Sequence, residues 1–300
     1  MATEVIVRNR GYNRNPLPFS VLVENDLAYG VHDSAWRLQD LTVEPGRVII
    51  YNPEHIGRGI EVQWDDNIKN EIHLRLPLPC TIHDMDVLYR VTARVMNYWG
   101  MEKFIQDGNV FNLDVVDALK KTFIDFCIRN LKETRDNMPH SSEYIMLAVR
   151  NPLYLSVDQL VEFGEDQDME GFSLLLHQLQ ERDLYYASPA IYRKPDGSYF
   201  GAFAIIADTD SILPYKPHVP LLARDPATGG ELKCEVYVAA LNSLKKKKRL
   251  ASMSYQDFLK EIDVSAMEKY DEEHFILSGL SEQEVERIAS LGYPDPLEEK

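Results

Sequence analysis

An α+β fold, with mixed but mainly antiparallel sheets and helices packed on them, follows from three features of the 300-residue chain. Short β-branched and aromatic runs dominate the first eighty residues, and a helical period takes over after Pro77 and Pro79. Strands and helices then recur in groups rather than in strict alternation, which argues against a parallel sheet wound by helices.

Residues 4–8, 47–51, 59–64 and 71–76 read as strands, each bounded by Asn, Asp, Pro or Gly. Ile60, Val62 and Trp64 alternate with Glu61 and Gln63, and Ile72, Leu74 and Leu76 with His73 and Arg75. A period of two predicts one buried and one wet face, and an antiparallel hairpin across residues 65–70. Leu88, Val91, Val95 and Tyr98 or Trp99 then share one helical face, with Thr81 and Asp84 as a capping box and Gly100 as the stop. Val116, Leu119, Phe123, Phe126 or Cys127, and Leu131 mark a second helix over 113–133.

The turn-rich run Asn137-Met-Pro-His-Ser-Ser142 divides a strand-rich half, residues 1–137, from an α+β half, residues 141–300. Beyond it the sequence predicts a strand at 144–149, a helix at 156–163 capped by Ser156 with Gln159, and a helix at 172–182. Lys194-Pro-Asp-Gly197 predicts a hairpin between 184–193 and 199–207. The second of these arms is apolar at nearly every position, predicting a central strand covered on both faces, with 232–240 pairing nearby. Ser254 with Asp257 and Ser281 with Glu284 open helices at 255–262 and 282–291, and Tyr293-Pro-Asp-Pro296 ends the fold.

Composition narrows the function classes. Cys80, Cys127 and Cys234 are odd in number and widely spaced, so neither a disulfide framework nor a zinc knuckle is expected, and a cytoplasmic location is. No run approaches the roughly 18 apolar residues of a membrane span. With 32 Lys and Arg against 48 Asp and Glu, the formal charge of -16 disfavours nucleic acid and anionic lipid and favours encounter with a basic protein.

Three fragments, Asp183-Leu-Tyr-Tyr-Ala-Ser-Pro189, Ser211-Ile-Leu-Pro214, and Tyr270-Asp271 with His274-Phe-Ile-Leu-Ser-Gly-Leu-Ser-Glu282, resemble uncharacterised bacterial proteins of similar length. The resemblance implies no activity and transfers no site residue.

Candidate chemistry is sparse, because no phosphate-binding, dinucleotide, zinc-protease, nucleophile-elbow or kinase signature occurs. Asp166, Asp168 and Glu170 with Gly171 match the opening of a calcium loop, but its closing position falls on His177. Asp208 and Asp210 follow the most apolar strand, where a carboxylate pair can serve as general acid and base or merely cap the strand end. The eight histidines never fall four apart on a helix; His177, near Gln178, Glu181 and Asp183, is the one with polar company. The cations Lys245 to Arg249 can meet phosphate, or offset a C-terminal stretch, 250–300, holding 13 acids and 4 bases. No cofactor is expected. The first reading is a non-catalytic interaction or regulatory protein that binds a basic protein partner through its acidic second half. The alternative is a hydrolase or transferase using Asp208, Asp210 or His177 in a cleft between the halves.

Overall fold

A computed structural model describes residues 1–11, 15–39, 44–182 and 184–293. It is an α+β protein of two compact units, Met1–Arg182 and Asp183–Lys300. The expected boundary at 137–142 therefore falls inside the first unit. The reason is local: the strand that follows 142 forms a hairpin with the next strand, and the helices after it pack back on helices that precede it.

In the first unit the elements run β1 (Ala2–Arg8), α1 (Phe19–Val23), β2 (Ala28–His32), β3 (Leu38–Gln39), β4 (Gly46–Tyr51), β5 (Ile60–Trp64), β6 (Glu71–Pro77), α2 (Ile82–Trp99), β7 (Phe104–Gln106) and β8 (Asn109–Phe111). They continue with α3 (Val116–Lys132), α4 (Thr134–Asn137), β9 (Glu143–Leu147), β10 (Pro152–Ser156), α5 (Val157–Asp166) and α6 (Met169–Glu181). Among the described residues these strands form an antiparallel eight-stranded sheet in the order β3-β2-β4-β5-β6-β1-β7-β8 and a separate β9-β10 hairpin.

The β5-β6 hairpin has the expected register, Glu61 opposite Arg75 and Val62 opposite Leu74. Its outer face is drier than alternation predicts: Glu61 is 9% exposed, because Arg47 and Arg75 on the neighbouring strands close over its carboxylate from both sides. Helix α2 lies across β1, β4, β5 and β6. Its capping box at Thr81 and Asp84 is formed, Leu88, Val91 and Val95 are buried, and Gly100 closes it with φ +67 in the left-handed region. Helix α3 buries only Cys127 and Leu131 fully, and packs on α5.

The second unit holds β11 (Tyr185–Tyr186), β12 (Ala190–Arg193), β13 (Tyr199–Ile206), β14 (Ser211–Pro214), β15 (Val236–Ser243), β16 (Lys248–Ser254), α7 (Tyr255–Glu261), β17 (Glu268–Lys269), β18 (His274–Leu277) and α8 (Glu282–Ala289). Among the described residues these strands form two four-stranded sheets, β11-β14-β18-β17 and β12-β13-β15-β16. The hairpin across Lys194–Gly197 is present, and β15 pairs with β13 in parallel. Strand β13 departs from expectation, because it is buried on one face only. Gly201, Phe203 and Ile205 are buried, whereas Phe200, Ala202, Ala204 and Ile206 remain half-exposed. Small residues such as Ala202, Ala204 and Ala240 keep that outer face shallow, so its apolar composition does not require a covering layer.

Phe203, Leu241, Phe258, Phe275, Val285 and Ile288 form the core of this unit. Within it the Tyr255 hydroxyl donates to the Pro214 carbonyl at 2.8 Å, and burial pushes its pKa far above the ordinary phenol value. Tyr255→Phe is expected to lower stability by about 1 kcal/mol in urea unfolding, the usual worth of one buried hydrogen bond, and an unchanged midpoint would contradict this. The expected end at residues 294–296 lies outside the described residues.

Candidate functional site

Among the described residues, one cleft in the first unit is an open space of about 590 Å³ lined by Asn25, Asp26, Asn52, Glu54, His55, His83, Asp86 and Arg90, among others. Two pieces of backbone make it. After β4 the chain turns over residues 52–55, where the Asn52 side chain accepts from the Glu54 N–H at 3.0 Å and the His55 N–H donates to the Asn52 carbonyl at 3.2 Å. The first turns of α2 supply His83, Asp86 and Arg90 at helical spacing. Asp84 joins these pieces: its buried carboxylate accepts from the N–H groups of Thr81, Arg58 and Gly59 at 2.8–3.1 Å.

The imidazoles of His55 and His83 stack face to face, 3.9 Å between centroids and 11° from parallel. His177, on α6, stands 6.0 Å from His55; its Nδ1 accepts the Ile56 N–H at 3.1 Å, and its Nε2 lies 3.3 Å from the Glu181 carboxylate. His177 therefore fixes the loop that carries His55. The parallel rings of His55 and His83 point their nitrogens along parallel planes, and among the described residues no group of three or more His, Cys, Asp or Glu has the geometry to hold a metal ion.

Burial, and then the neighbouring His55, pushes the His83 pKa below the ordinary histidine value, so it is neutral at pH 7. The carboxylates differ in their company. Arg94 and Arg90 hydrogen-bond to Asp26 and, against its desolvation, hold its carboxyl below the usual range. Asp86 pairs with Lys120 at 2.6 Å. Glu54 is exposed and makes no ion pair among the described residues.

Burial likewise depresses the pKa of His32 in this unit and of His218 in the other. For each of the three, the unfolded chain takes up a proton near pH 6.5 while the folded chain does so only at lower pH. Stability is thus lost as pH falls from about 6.5 toward the folded values, with no contribution above that window. His73 titrates in the opposite sense, but its ring is 42% exposed and its carboxylate contacts are screened. The urea midpoint is expected to fall between about pH 7 and about pH 5.5, and a rise over that range would show that His73 dominates.

The remaining candidates are scattered. Asp166 ends α5, Asp168 caps α6 by accepting the Gly171 N–H at 2.8 Å, and Glu170 lies exposed in the first turn of α6, so the segment is a helix-turn-helix rather than a loop wrapped round a cation. In the second unit, Asp210 accepts the Gly279 N–H at 2.7 Å, and Asp208, at φ +56, donates its backbone N–H to the Leu280 carbonyl. Both are exposed and hold the β13-β14 turn against the segment before α8, and they lie in a different unit from His177. The cations 245–249 span the tip of the β15-β16 hairpin, where the Lys245 N–H donates to Glu282 at 2.8 Å and Lys246 pairs with Glu286 at 2.7 Å.

A second cluster arose from residues that the sequence did not single out for chemistry. Asp271 Oδ1 accepts from the backbone and ring Nδ1 of His274 at 2.9 and 2.8 Å, and His274 Nε2 lies 3.2 Å from the Tyr186 hydroxyl. These residues come from the fragments 183–189 and 270–282, which, with 211–214, converge on the β11-β14-β18-β17 sheet.

A family model described as a domain of unknown function (DUF4299) matches residues 2–288. The chain belongs to the DUF4299 family. The match runs from β1 into α8, so this DUF4299 chain carries both units as one family region. No curated protein and no solved structure matches it.

Proposed function

We propose that this DUF4299 protein is a non-catalytic binding protein, and that the cleft at Asn52–His55 and the start of α2 receives a cationic side chain of a basic partner protein. The supporting observation is the composition of the cleft: Glu54 is unneutralised, Asp26 and Asp86 flank it, and His83 is neutral. A Lys or Arg head group fits such a polar recess, where the neutral imidazole face and the unpaired Glu54 carboxylate favour a cation. The overall charge of -16 raises the rate of encounter with that partner. The proposed surface lies in the first unit rather than the second half, and charge alone does not separate the two: residues 1–182 hold 28 acids and 18 bases, and 183–300 hold 20 and 14.

Calorimetric titration with a Lys- and Arg-rich peptide tests the reading. Binding is expected to weaken about tenfold in Glu54→Gln/Asp86→Asn, a loss of about 1.4 kcal/mol, and to weaken as salt screens the contact. It also weakens once the pH falls far enough below about 6.5 for His83 to gain a charge that opposes the cation. Affinity that is unaffected by the double substitution would sink the assignment to this cleft. A second reading, a hydrolase or transferase, draws on the Asp271-His274-Tyr186 chain, in which an oriented imidazole faces a phenol. Turnover abolished by Tyr186→Phe, with peptide binding intact, would favour it.

A further inference from the structure

The thiols of Cys80 and Cys127 lie 3.8 Å apart, sulfur to sulfur, and both residues are fully buried in the first unit. Cys80 directly precedes the cap of α2, and Cys127 sits on the inner face of α3. Beside them is an unusual charge. Arg58 is 9% exposed, and its Nη1 and Nε donate to the carbonyls of Pro79 and Leu147 at 2.9 and 3.1 Å. It makes no ion pair among the described residues, since Asp84 is engaged with backbone N–H groups, including that of Arg58 itself. A buried cation whose guanidinium bonds go to neutral carbonyls, with no ion pair of its own, favours any neighbouring group that can become an anion. The residue that bonds Arg58 Nη1 is the immediate neighbour of Cys80.

We propose that Cys80 and Cys127 are a redox-active dithiol, oxidised by a peroxide to an intramolecular disulfide. Cys127 is the attacking sulfur. The hydrogen bond shared between the two sulfurs lowers its pKa despite burial, while burial foremost raises that of Cys80. The Cys127 thiolate attacks one peroxide oxygen; an S–O bond forms, the O–O bond breaks, and the departing hydroxide takes a proton to become water. Cys80 sulfur then attacks the Cys127 sulfenic acid, an S–S bond forms, the S–O bond breaks, and hydroxide leaves with the Cys80 proton as a second water. Two electrons pass from the sulfurs to the peroxide. The sulfurs must close to about 2.05 Å, which side-chain rotation and small helix shifts can supply across a contact already formed.

The third thiol gives a clean background. Cys234, in the second unit, is partly exposed, and burial foremost raises its pKa. The full-length Cys234→Ser protein is treated with hydrogen peroxide, quenched, denatured and alkylated, then weighed intact and mapped without reduction. The expected result is loss of two hydrogens, loss of both alkylatable thiols, and a Cys80–Cys127 linked peptide, all reversed by dithiothreitol. Two alkylatable thiols after peroxide treatment, or sulfinic and sulfonic acids in place of the linked peptide, would overturn the proposal. Because the readout is on thiols already in the chain, it does not depend on a core variant that fails to fold. A parallel Cys80→Ser protein, whose hydroxyl keeps a donor beside Cys127, separates the roles: Cys127 is expected to stop at the sulfenic acid, trapped by dimedone. An unlabelled Cys127 in the folded variant overturns its role as the attacking sulfur.

Discussion

Asp84→Ala is expected to destabilise the first unit by about 3–5 kcal/mol, the cost of stripping a buried anion from the groups arranged around it. The carboxylate is 2% exposed and serves three backbone donors at once, the N–H groups of Thr81, Arg58 and Gly59. Each loses a charge-assisted bond in a place that water does not reach, and the buried Arg58 loses a negative neighbour. Losing the capping box by itself accounts for only about 1 kcal/mol, so the larger part comes from the loop before β5. Asp84→Asn keeps one acceptor oxygen and should fall between the two. Urea unfolding followed by far-ultraviolet circular dichroism reads both variants. A loss for Asp84→Ala of under about 1 kcal/mol would mean that the loop finds other acceptors.

Gly164→Ala sets helix propensity against packing. In an exposed helix the change adds about 1 kcal/mol of stability. Here a Cβ would stand 2.3 Å from Lys132 N, 2.7 Å from Lys132 Cα and 2.9 Å from Leu131 C, all main-chain atoms of α3. A main chain cannot rotate away, so α5 and α3 have to separate, at a cost of about 3 kcal/mol. Packing wins, and the melting temperature of the first unit is expected to drop by roughly 4–8 °C. A variant that melts higher than the parent would show that the two helices slide apart freely.

Local signals were the most legible. Thr81 with Asp84, Ser156, Ser254 and Ser281 open helices through side-chain bonds that involve only the next few residues, and each does so in the structure. The Lys194–Gly197 turn belongs to the same class. What failed to show in the sequence depends on partners far along the chain. The boundary at 182/183 was hidden because 137–142 looks like a linker, and only the pairing of β9 with β10 and of α5 with α3 ties it into the first unit. The wet face of β13 was misread because alanine is equally at home on both sides of a sheet. His55 and His83 come from a turn and a helix start, 28 positions apart, and no periodic pattern links them. His177 did stand out, yet its role is to hold the loop of His55, which only the Ile56 contact reveals. The dithiol was invisible for the same reason: Cys80 and Cys127 are 47 residues apart and meet only once α3 docks.

The sheets of the second unit alternate along the chain. Strand β11 enters one sheet, β12 and β13 build the other, β14 returns to the first, β15 and β16 go back, and β17 and β18 finish the first. The chain is thus braided between two sheets, and β14 lies in sequence between β13 and β15, which pair in parallel. Neither sheet is a contiguous stretch that a protease or a gene truncation can release intact. A cut in any loop between 207 and 235 divides both sheets between the two fragments, so the unit opens as one block, with its amide protons lost to solvent together rather than sheet by sheet.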